Sequence, residues 1–366
     1  MNQLTIIGIG KLGLGFALIL EKHYNVLGID INQHYVNNLN NKKYKTNEPE
    51  YTELLIKSTN FRASTDLKEG LDHSDTIFII VQTPNSGGDK FYDHSMLSNL
   101  LVKINSFKPK NKNIIIGCTI IPTYIDKIGN NLITDCENCD LSYNPEFVAQ
   151  GDIINGFRNP DIILIGSLRV ELLNILKEIY DKICISIPTY CFMTPLEAEI
   201  VKISLNGYIT TKISFANMIS DLCDNLKVNK DTVLNAIGSD SRIGTKYFKS
   251  GYSFGGPCFP RDTKALKQIT DKYGIESDLL EGTINYNNFH YKYQAEQLLK
   301  QNKDEYIFTN VCYKEGSTIP IIEESAKLKI GEYLANKNKK VIIKDIEDII
   351  IEVKKEYGNL FEYIIK

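Results

Sequence analysis

The stretch Phe254-Gly255-Gly256-Pro257-Cys258-Phe259-Pro260-Arg261-Asp262 carries the strongest chemical signal in the chain. Two glycines and two prolines around one cysteine make a shaped loop that holds a thiol open to a ligand. Asp262-Thr263-Lys264-Ala265-Leu266 then reads as a helix start. A thiol just before a helix N-terminus and near cations ionises readily, and the thiolate is the nucleophilic form. An isolated cysteine is ordinarily a core residue; this setting argues for a nucleophile instead. Lys202 and Asn206 stand at i and i+4 of a helical stretch, so both project from one face. Such a pair is usually solvated surface, but together with a shaped cysteine loop it can supply donors to a developing oxyanion. Glu146, in Asn144-Pro145-Glu146-Phe147, follows a strand and reads either as a structural cap or as a base.

A second constellation lies at the start of the chain. Gly8-x-Gly10-x-x-Gly13 sits between a strand and a helix, with Asp30 closing the next strand. Glycines there permit a tight turn and a close backbone approach, and the helix N-terminus then faces a pyrophosphate. An acid at Asp30 accepts hydrogen bonds from ribose hydroxyls and repels a 2′-phosphate, so NAD is expected rather than NADP. A glycine triplet alone is an ordinary strand-to-helix turn; strand, helix and acid in register make it a dinucleotide site.

The elements that must position these residues follow from hydrophobic pattern. Leu4 to Ile9, Asn25 to Asp30, Thr76 to Gln82, Asn113 to Thr119, Leu141 to Tyr143 and Asp161 to Gly166 read as strands. Gly13 to Lys22 reads as the first helix. Strands separated by helical segments predict an α/β fold whose N-terminal part is a Rossmann-like, doubly wound parallel sheet. Thr194-Pro195-Leu196-Glu197 then offers a capping hydroxyl, a first-turn proline and a capping-box Glu. A long spine helix to about Asn225 is expected, followed by the loop at Gly251 to Pro260 and helix from Asp262 to about Asn302. From Asp304 the pattern is strand, helix, strand, helix. The expected division is a dinucleotide domain over 1–192, an all-helical central domain over 193–302 and a C-terminal α/β domain over 303–366.

Bulk properties narrow the function classes. At 366 residues, two or three domains are expected, and 43% hydrophobic with 24% charged residues suits a globular protein. A net charge of −3 argues against a nucleic-acid binder. No apolar run is long enough for a transmembrane helix, and no secretory signal opens the chain, so no membrane partner is expected. Eight scattered cysteines do not form a disulfide framework and suit a reducing cytoplasm. Cys136-x-x-Cys139 lacks a second pair and a nearby histidine, so no metal is expected.

These motifs together resemble the UDP-glucose/GDP-mannose dehydrogenase family over nearly the whole chain. The resemblance rests on the glycine fingerprint, Cys118-Thr119-Ile120-Ile121-Pro122, Asn144-Pro145-Glu146-Phe147, the Glu199-to-Asn206 helix and the Cys258 loop. It implies a four-electron oxidation with two NAD per nucleotide sugar, through a thiohemiacetal and a thioester on Cys258. It assigns oxyanion stabilisation to Lys202 and Asn206, and proton removal to Asp262 through a water near Thr119. Thioester hydrolysis falls to Glu146. Gly8, Gly10, Gly13, Asp30, Thr83, Thr119, Gln150 and Arg261 are implied NAD contacts. Glu146, Lys202, Asn206, Arg242, Tyr247, Phe254, Gly255 and Lys314 are implied substrate contacts. Arg242-Ile243-Gly244 resembles the stretch that grips UDP-glucose, often from a neighbouring subunit, and a fork-shaped Arg with a point-charge Lys suits a diphosphate. The expected partner is a UDP-sugar, and the expected assembly a homodimer through the central helix. GDP-mannose or a UDP-N-acetylhexosamine stays open as substrate, as does an inactive nucleotide-sugar-binding protein. A 3-hydroxy-acid dehydrogenase would share the fold without needing the cysteine loop. The chain departs from the family pattern at Gln150, where a second Glu is usual, and at Glu323-Glu324-Ser325, where an Arg precedes the Glu-Ser pair. Its C-terminal α/β region is also shorter than the family's.

Overall fold

The computed structural model describes residues 2–88, 90–314, 316–317 and 319–366. By density of internal contacts the chain divides into two compact units, Met1–Lys202 and Ile203–Lys366. The first unit is built on strands β1 (Gln3–Ile7), β2 (Asn25–Ile29), β3 (Phe61–Ser64) and β4 (Thr76–Ile79). Strands β5 (Asn113–Ile116), β6 (Asp140–Tyr143), β7 (Ile162–Gly166) and β8 (Thr189–Met193) complete it. They form one eight-stranded sheet in the order β3-β2-β1-β4-β5-β6-β7-β8. All neighbours are parallel except β6 and β7, which meet antiparallel at Tyr143 and Gly166. The strand order reverses between β1 and β4, the position where doubly wound sheets open a crevice at the carboxyl ends of their strands.

Alternation explains why these strands are apolar almost throughout. Ile6 faces a layer containing Phe16, Leu18, Val26 and Phe78, whereas Ile7 faces the opposite layer with Leu27, Ile79, Leu101 and Ile116. Successive side chains point to opposite faces, and both faces are covered, so both must be hydrophobic. Phe16 anchors the first layer, edge-on to Phe78 at 5.1 Å and stacked on Phe157 at 4.9 Å.

The helix Pro195–Leu226, 32 residues long, carries the boundary between the two units. Its start is the capping box expected from sequence. The Thr194 N–H donates to the Glu197 carboxylate at 2.8 Å, and the Glu197 N–H donates to the Thr194 hydroxyl at 3.4 Å. In the second unit follow helices Lys230–Gly238, Phe259–Lys272, Asp278–Leu299, Ala326–Ala335 and Glu347–Tyr357. Strands β9 (Glu305–Thr309), β10 (Lys340–Asp345) and β11 (Glu362–Ile365) form a parallel sheet in the order β11-β10-β9.

Three sequence expectations are corrected here. The helix after the cysteine loop begins at Phe259, not Asp262, because Pro260 occupies the first turn, where a missing N–H costs nothing. The helical stretch expected from Asp262 to about Asn302 is two helices. It breaks at Gly274 (φ +70°), where the Ile275 N–H returns to the Thr270 carbonyl at 3.0 Å. The C-terminal region carries a further strand, β11, after the positive-φ turn at Gly358. No helix among the described residues is long and apolar enough to cross a membrane.

Candidate active site

In the first unit, the turn after β1 is shaped by close backbone approach. Gly8 has φ +90°, and a Cβ there would lie 2.4 Å from the Ile80 carbonyl oxygen. A Cβ at Gly13 would lie 2.0 Å from the Gly8 carbonyl oxygen. Gly10 differs: a Cβ there meets nothing within 4 Å, so it faces open space. The Tyr35 hydroxyl donates to the Ile9 carbonyl at 2.7 Å and the Tyr51 hydroxyl to the Lys11 carbonyl at 2.6 Å, fixing the turn from behind. Gly10 is the N-cap of helix Lys11–Leu20 and provides no side-chain cap, which leaves first-turn N–H groups for a ligand. Asp30 follows β2; its Oδ1 accepts the Asn32 N–H at 3.0 Å, and its second oxygen can take a ribose hydroxyl. Thr83, buried, and Thr119, half-buried, follow β4 and β5. An open glycine, uncapped N–H groups and a carboxylate after the second strand fit a dinucleotide.

Gln150 accepts from Lys11 Nζ at 3.1 Å, so the neutral residue is tied to the first turn of that helix. Next to it, the Gly151 N–H donates to both oxygens of the buried Glu48 carboxylate, at 3.0 and 2.9 Å. Glu48 was not singled out from sequence. The signal available there, an Asn-Glu-Pro loop far from Gly151, says nothing of its partner.

Lys202 and Glu146 come together in the same unit. Lys202 is buried, donates to the Glu146 main-chain carbonyl and sits 4.4 Å from the centroid of the Phe147 ring. The half-buried Glu146 carboxylate accepts the Val148 N–H at 2.8 Å, as a turn cap would. Asn144, buried, fixes the segment by donating to the Leu164 carbonyl at 2.8 Å and accepting from the Tyr180 hydroxyl at 2.7 Å.

One helical turn before Lys202, the wholly buried Glu199 accepts the N–H groups of Thr123 at 2.6 Å and Ile125 at 2.9 Å. Burial outweighs these donors and raises its carboxyl to about 7. A folded-state pKa above the unfolded one means the folded chain keeps a proton that the unfolded chain releases. Stability should therefore fall as pH rises from about 4.5 to 7. A Glu199→Gln variant has no such titration, but its amide NH2 faces a backbone donor, at a cost of about 1–3 kcal/mol. Urea melts should show the variant clearly weaker at pH 5, with the gap closing toward pH 7.5. A constant gap would mean that Glu199 does not titrate in this range.

In the second unit, Cys258 is exposed and is the N-cap residue of helix Phe259–Lys272. The Asp262 N–H donates to the Cys258 carbonyl at 2.8 Å. Asp262 lies in the first turn; its buried carboxylate accepts from Asn206 Nδ2 at 2.5 Å. The glycine pair before the thiol is required by contact. A Cβ at Gly255 would lie 2.1 Å from the Glu324 carbonyl oxygen, and one at Gly256 (φ +82°) 2.3 Å from the Tyr313 ring. The Gly256 N–H donates to the Glu323 carbonyl at 3.0 Å, so the Glu323-Glu324 departure meets the loop through its backbone.

The remaining expected contacts are distributed unevenly. Phe254 is buried, and Tyr247 (φ +59°) packs edge-on against Phe259 at 6.1 Å, adjacent to Cys258. Arg261 is half-buried in the helix's first turn, and Lys314 is exposed directly after Tyr313. Arg242 is exposed and already forked onto Asp240, with Nε to Oδ1 at 2.9 Å and Nη2 to Oδ2 at 2.7 Å. Among the described residues no group of three or more His, Cys, Asp or Glu side chains could hold a metal ion.

The comparisons with known proteins agree with one another. Residues 2–184 match the NAD-binding domain of the UDP-glucose/GDP-mannose dehydrogenase family, and residues 196–289 match its central domain. The UDP-glucose 6-dehydrogenase YwqF of Bacillus subtilis is 32% identical over 297 residues, covering 78% of this chain and 66% of that protein. A UDP-glucose 6-dehydrogenase of Rickettsia bellii is 29% identical, with 78% and 66% covered. The match thus spans just under two thirds of either relative's length. In fold, the chain is similar to a UDP-glucose dehydrogenase of Pyrobaculum islandicum, with a TM-score of 0.89 at 24% identity, covering 100% of this chain and 86% of that one. The cradle after β1 is therefore an NAD site, and the chain belongs to the UDP-glucose/GDP-mannose dehydrogenase family.

Proposed function

We propose that the chain is an NAD-dependent UDP-glucose 6-dehydrogenase that converts UDP-glucose to UDP-glucuronate. The observation carrying this reading is an exposed Cys258 at a helix N-cap, in a loop whose Gly255 and Gly256 leave no space for a side chain. Bound NAD supplies the hydride acceptor, twice per sugar. The rest is work for side chains. Asp262, assisted by a water near Thr119, takes the proton of the C6 hydroxyl as alcohol becomes aldehyde. An aldehyde must gain a nucleophile before it can lose a second hydride. The Cys258 thiolate adds to the aldehyde carbon, a C–S bond forms, and the carbonyl pair moves onto oxygen, where Lys202 and Asn206 donate. Loss of the remaining C–H as hydride leaves a thioester. Water, assisted by Glu146, then releases the carboxylate and restores the thiol.

Arg242, Tyr247, Phe254, Gly255 and Lys314 hold the nucleotide sugar in this reading, and Arg242 must exchange Asp240 for a diphosphate. Three parts share the work: residues 1–192 bind NAD, 193–302 carry the thiol loop and dimer seam, and 303–366 complete the sugar-nucleotide site. Eight thiols without a disulfide suit a reducing cytoplasm. The test is NADH yield from the full chain with NAD and UDP-glucose, for which two NADH per sugar are expected. Turnover only with GDP-mannose or a UDP-N-acetylhexosamine would move the substrate; silence with all of them would leave a binding protein.

The partner in this reading is a second copy. Tyr208, Phe215, Met218, Leu222 and Leu226 are exposed along helix Pro195–Leu226, an apolar stripe of the kind that marks an interface. Light scattering should give twice the chain mass for the wild type and the single mass for Leu222→Asp. A monomeric wild type would remove the dimer from the proposal.

A further inference from the structure

The chemistry above leaves unused the single histidine of the second unit, His290, which is buried. Helix Asp278–Leu299 places Asn287, His290 and Gln294 on one face, at i, i+3 and i+7. All three reach the segment leading to Cys258. Asn287 Oδ1 accepts the Phe254 N–H at 2.8 Å, and its Nδ2 donates to the Phe254 carbonyl at 3.0 Å. Gln294 Nε2 donates to the Gly251 carbonyl at 3.0 Å, and His290 Nε2 lies 2.9 Å from that same oxygen. Helix Pro195–Leu226 holds the other side. Asn217 accepts the Gly251 N–H at 3.1 Å and donates to the Tyr252 carbonyl at 3.2 Å. Asp221 Oδ2 lies 2.8 Å from His290 Nδ1 and accepts the Tyr286 hydroxyl at 2.6 Å.

The hydrogen-bond roles follow from the partners. A carbonyl only accepts, so Nε2 carries a hydrogen. Nδ1 faces a carboxylate oxygen of Asp221. His290 is 2% exposed, with the Tyr286 ring stacked 6.3 Å away and the Tyr293 hydroxyl on the Asp221 carbonyl. A buried polar group is costly without partners, and here both ring nitrogens have one.

We propose that His290 is a positioning residue for Cys258: an imidazole clamped between the Asp221 carboxylate and the Gly251 carbonyl, fixing the entrance of the thiol loop. The clamp rests on the reading of Cys258 as nucleophile for its purpose, but not for its detection. If the entrance loosens, the Cys258 side chain loses its fixed direction at the helix N-terminus, which favours its thiolate.

The test is alkylation of the full chain by iodoacetamide at pH 7.5, with modification at Cys258 followed by peptide mass spectrometry. Cys258→Ser identifies the fast-labelling site. Relative to wild type, His290→Ala should label roughly fivefold more slowly or worse, as thiolate is lost. His290→Gln, which keeps a donor for Gly251 but loses the ring contact with Asp221, should fall between them. With NAD and UDP-glucose, the variants should release aldehyde, trapped by semicarbazide, while NAD affinity stays at the wild-type value. Far-UV circular dichroism checks folding; if the alanine variant does not fold, the glutamine variant decides. Equal Cys258 labelling in wild type and a folded His290 variant would overturn the clamp, even if two NADH per sugar are formed. Slowed labelling in a chain that turns over no nucleotide sugar would uphold the clamp and sink the enzymatic reading.

Discussion

With NAD and UDP-glucose, Cys258→Ser should yield no UDP-glucuronate, and its NADH should drop from two per sugar to one or fewer. The second oxidation should slow on the order of 1,000-fold or more, as expected when a covalent nucleophile is removed. A serine hydroxyl is not ionised at neutral pH, so it lacks the nucleophilic form that a thiol supplies. The C–S bond that would carry the remaining C–H is therefore never made. Substrate binding should change little, because the exposed thiol at the helix N-cap contributes attack rather than grip. Rapid-quench analysis of products checks this: alcohol and aldehyde are expected from the variant, acid from the wild type. A variant that still makes two NADH would mean that the aldehyde is oxidised through its hydrate, with water in place of sulfur.

The features legible in the sequence are those set by neighbours along the chain. The glycine triplet, the capping box at Thr194 and Glu197, and the cysteine loop depend on residues a few positions apart. Each stands where its pattern placed it. Boundaries set by single residues were harder: Pro260 drew one helix forward to Phe259, and Gly274 ended it. Least legible were polar partners far apart in sequence. Glu48 and Gly151 are 103 residues apart, Glu199 and Thr123 76, and His290 and Asp221 69. A lone Glu or His on a helix gives no sign of its partner. The contact of Lys202 with the Glu146 carbonyl is hidden for the same reason, although each residue stands in a legible motif.

The glycines after β1 separate binding from folding, and this gives the second large effect. A Cβ at Gly13 would lie 2.0 Å from the Gly8 carbonyl oxygen, a backbone atom that cannot yield without moving the turn. Gly13→Val should therefore destabilise by about 3 kcal/mol, lowering Tm by roughly 5–10 °C, and lose NAD binding as a consequence. Gly10 has no neighbour within 4 Å of its Cβ and φ −62°, a backbone any residue adopts. Gly10→Val should cost only about 1 kcal/mol through the weaker N-cap. Yet its side chain would fill the space where the pyrophosphate meets the N-terminus of helix Lys11–Leu20. NAD affinity should fall on the order of 100-fold, near 2.7 kcal/mol, in a chain that melts almost like the wild type. Calorimetric titration with NAD beside thermal melts distinguishes the two. If Gly10→Val bound NAD at wild-type affinity, the dinucleotide would have to cross the turn elsewhere, and the open space at Gly10 would not be its seat.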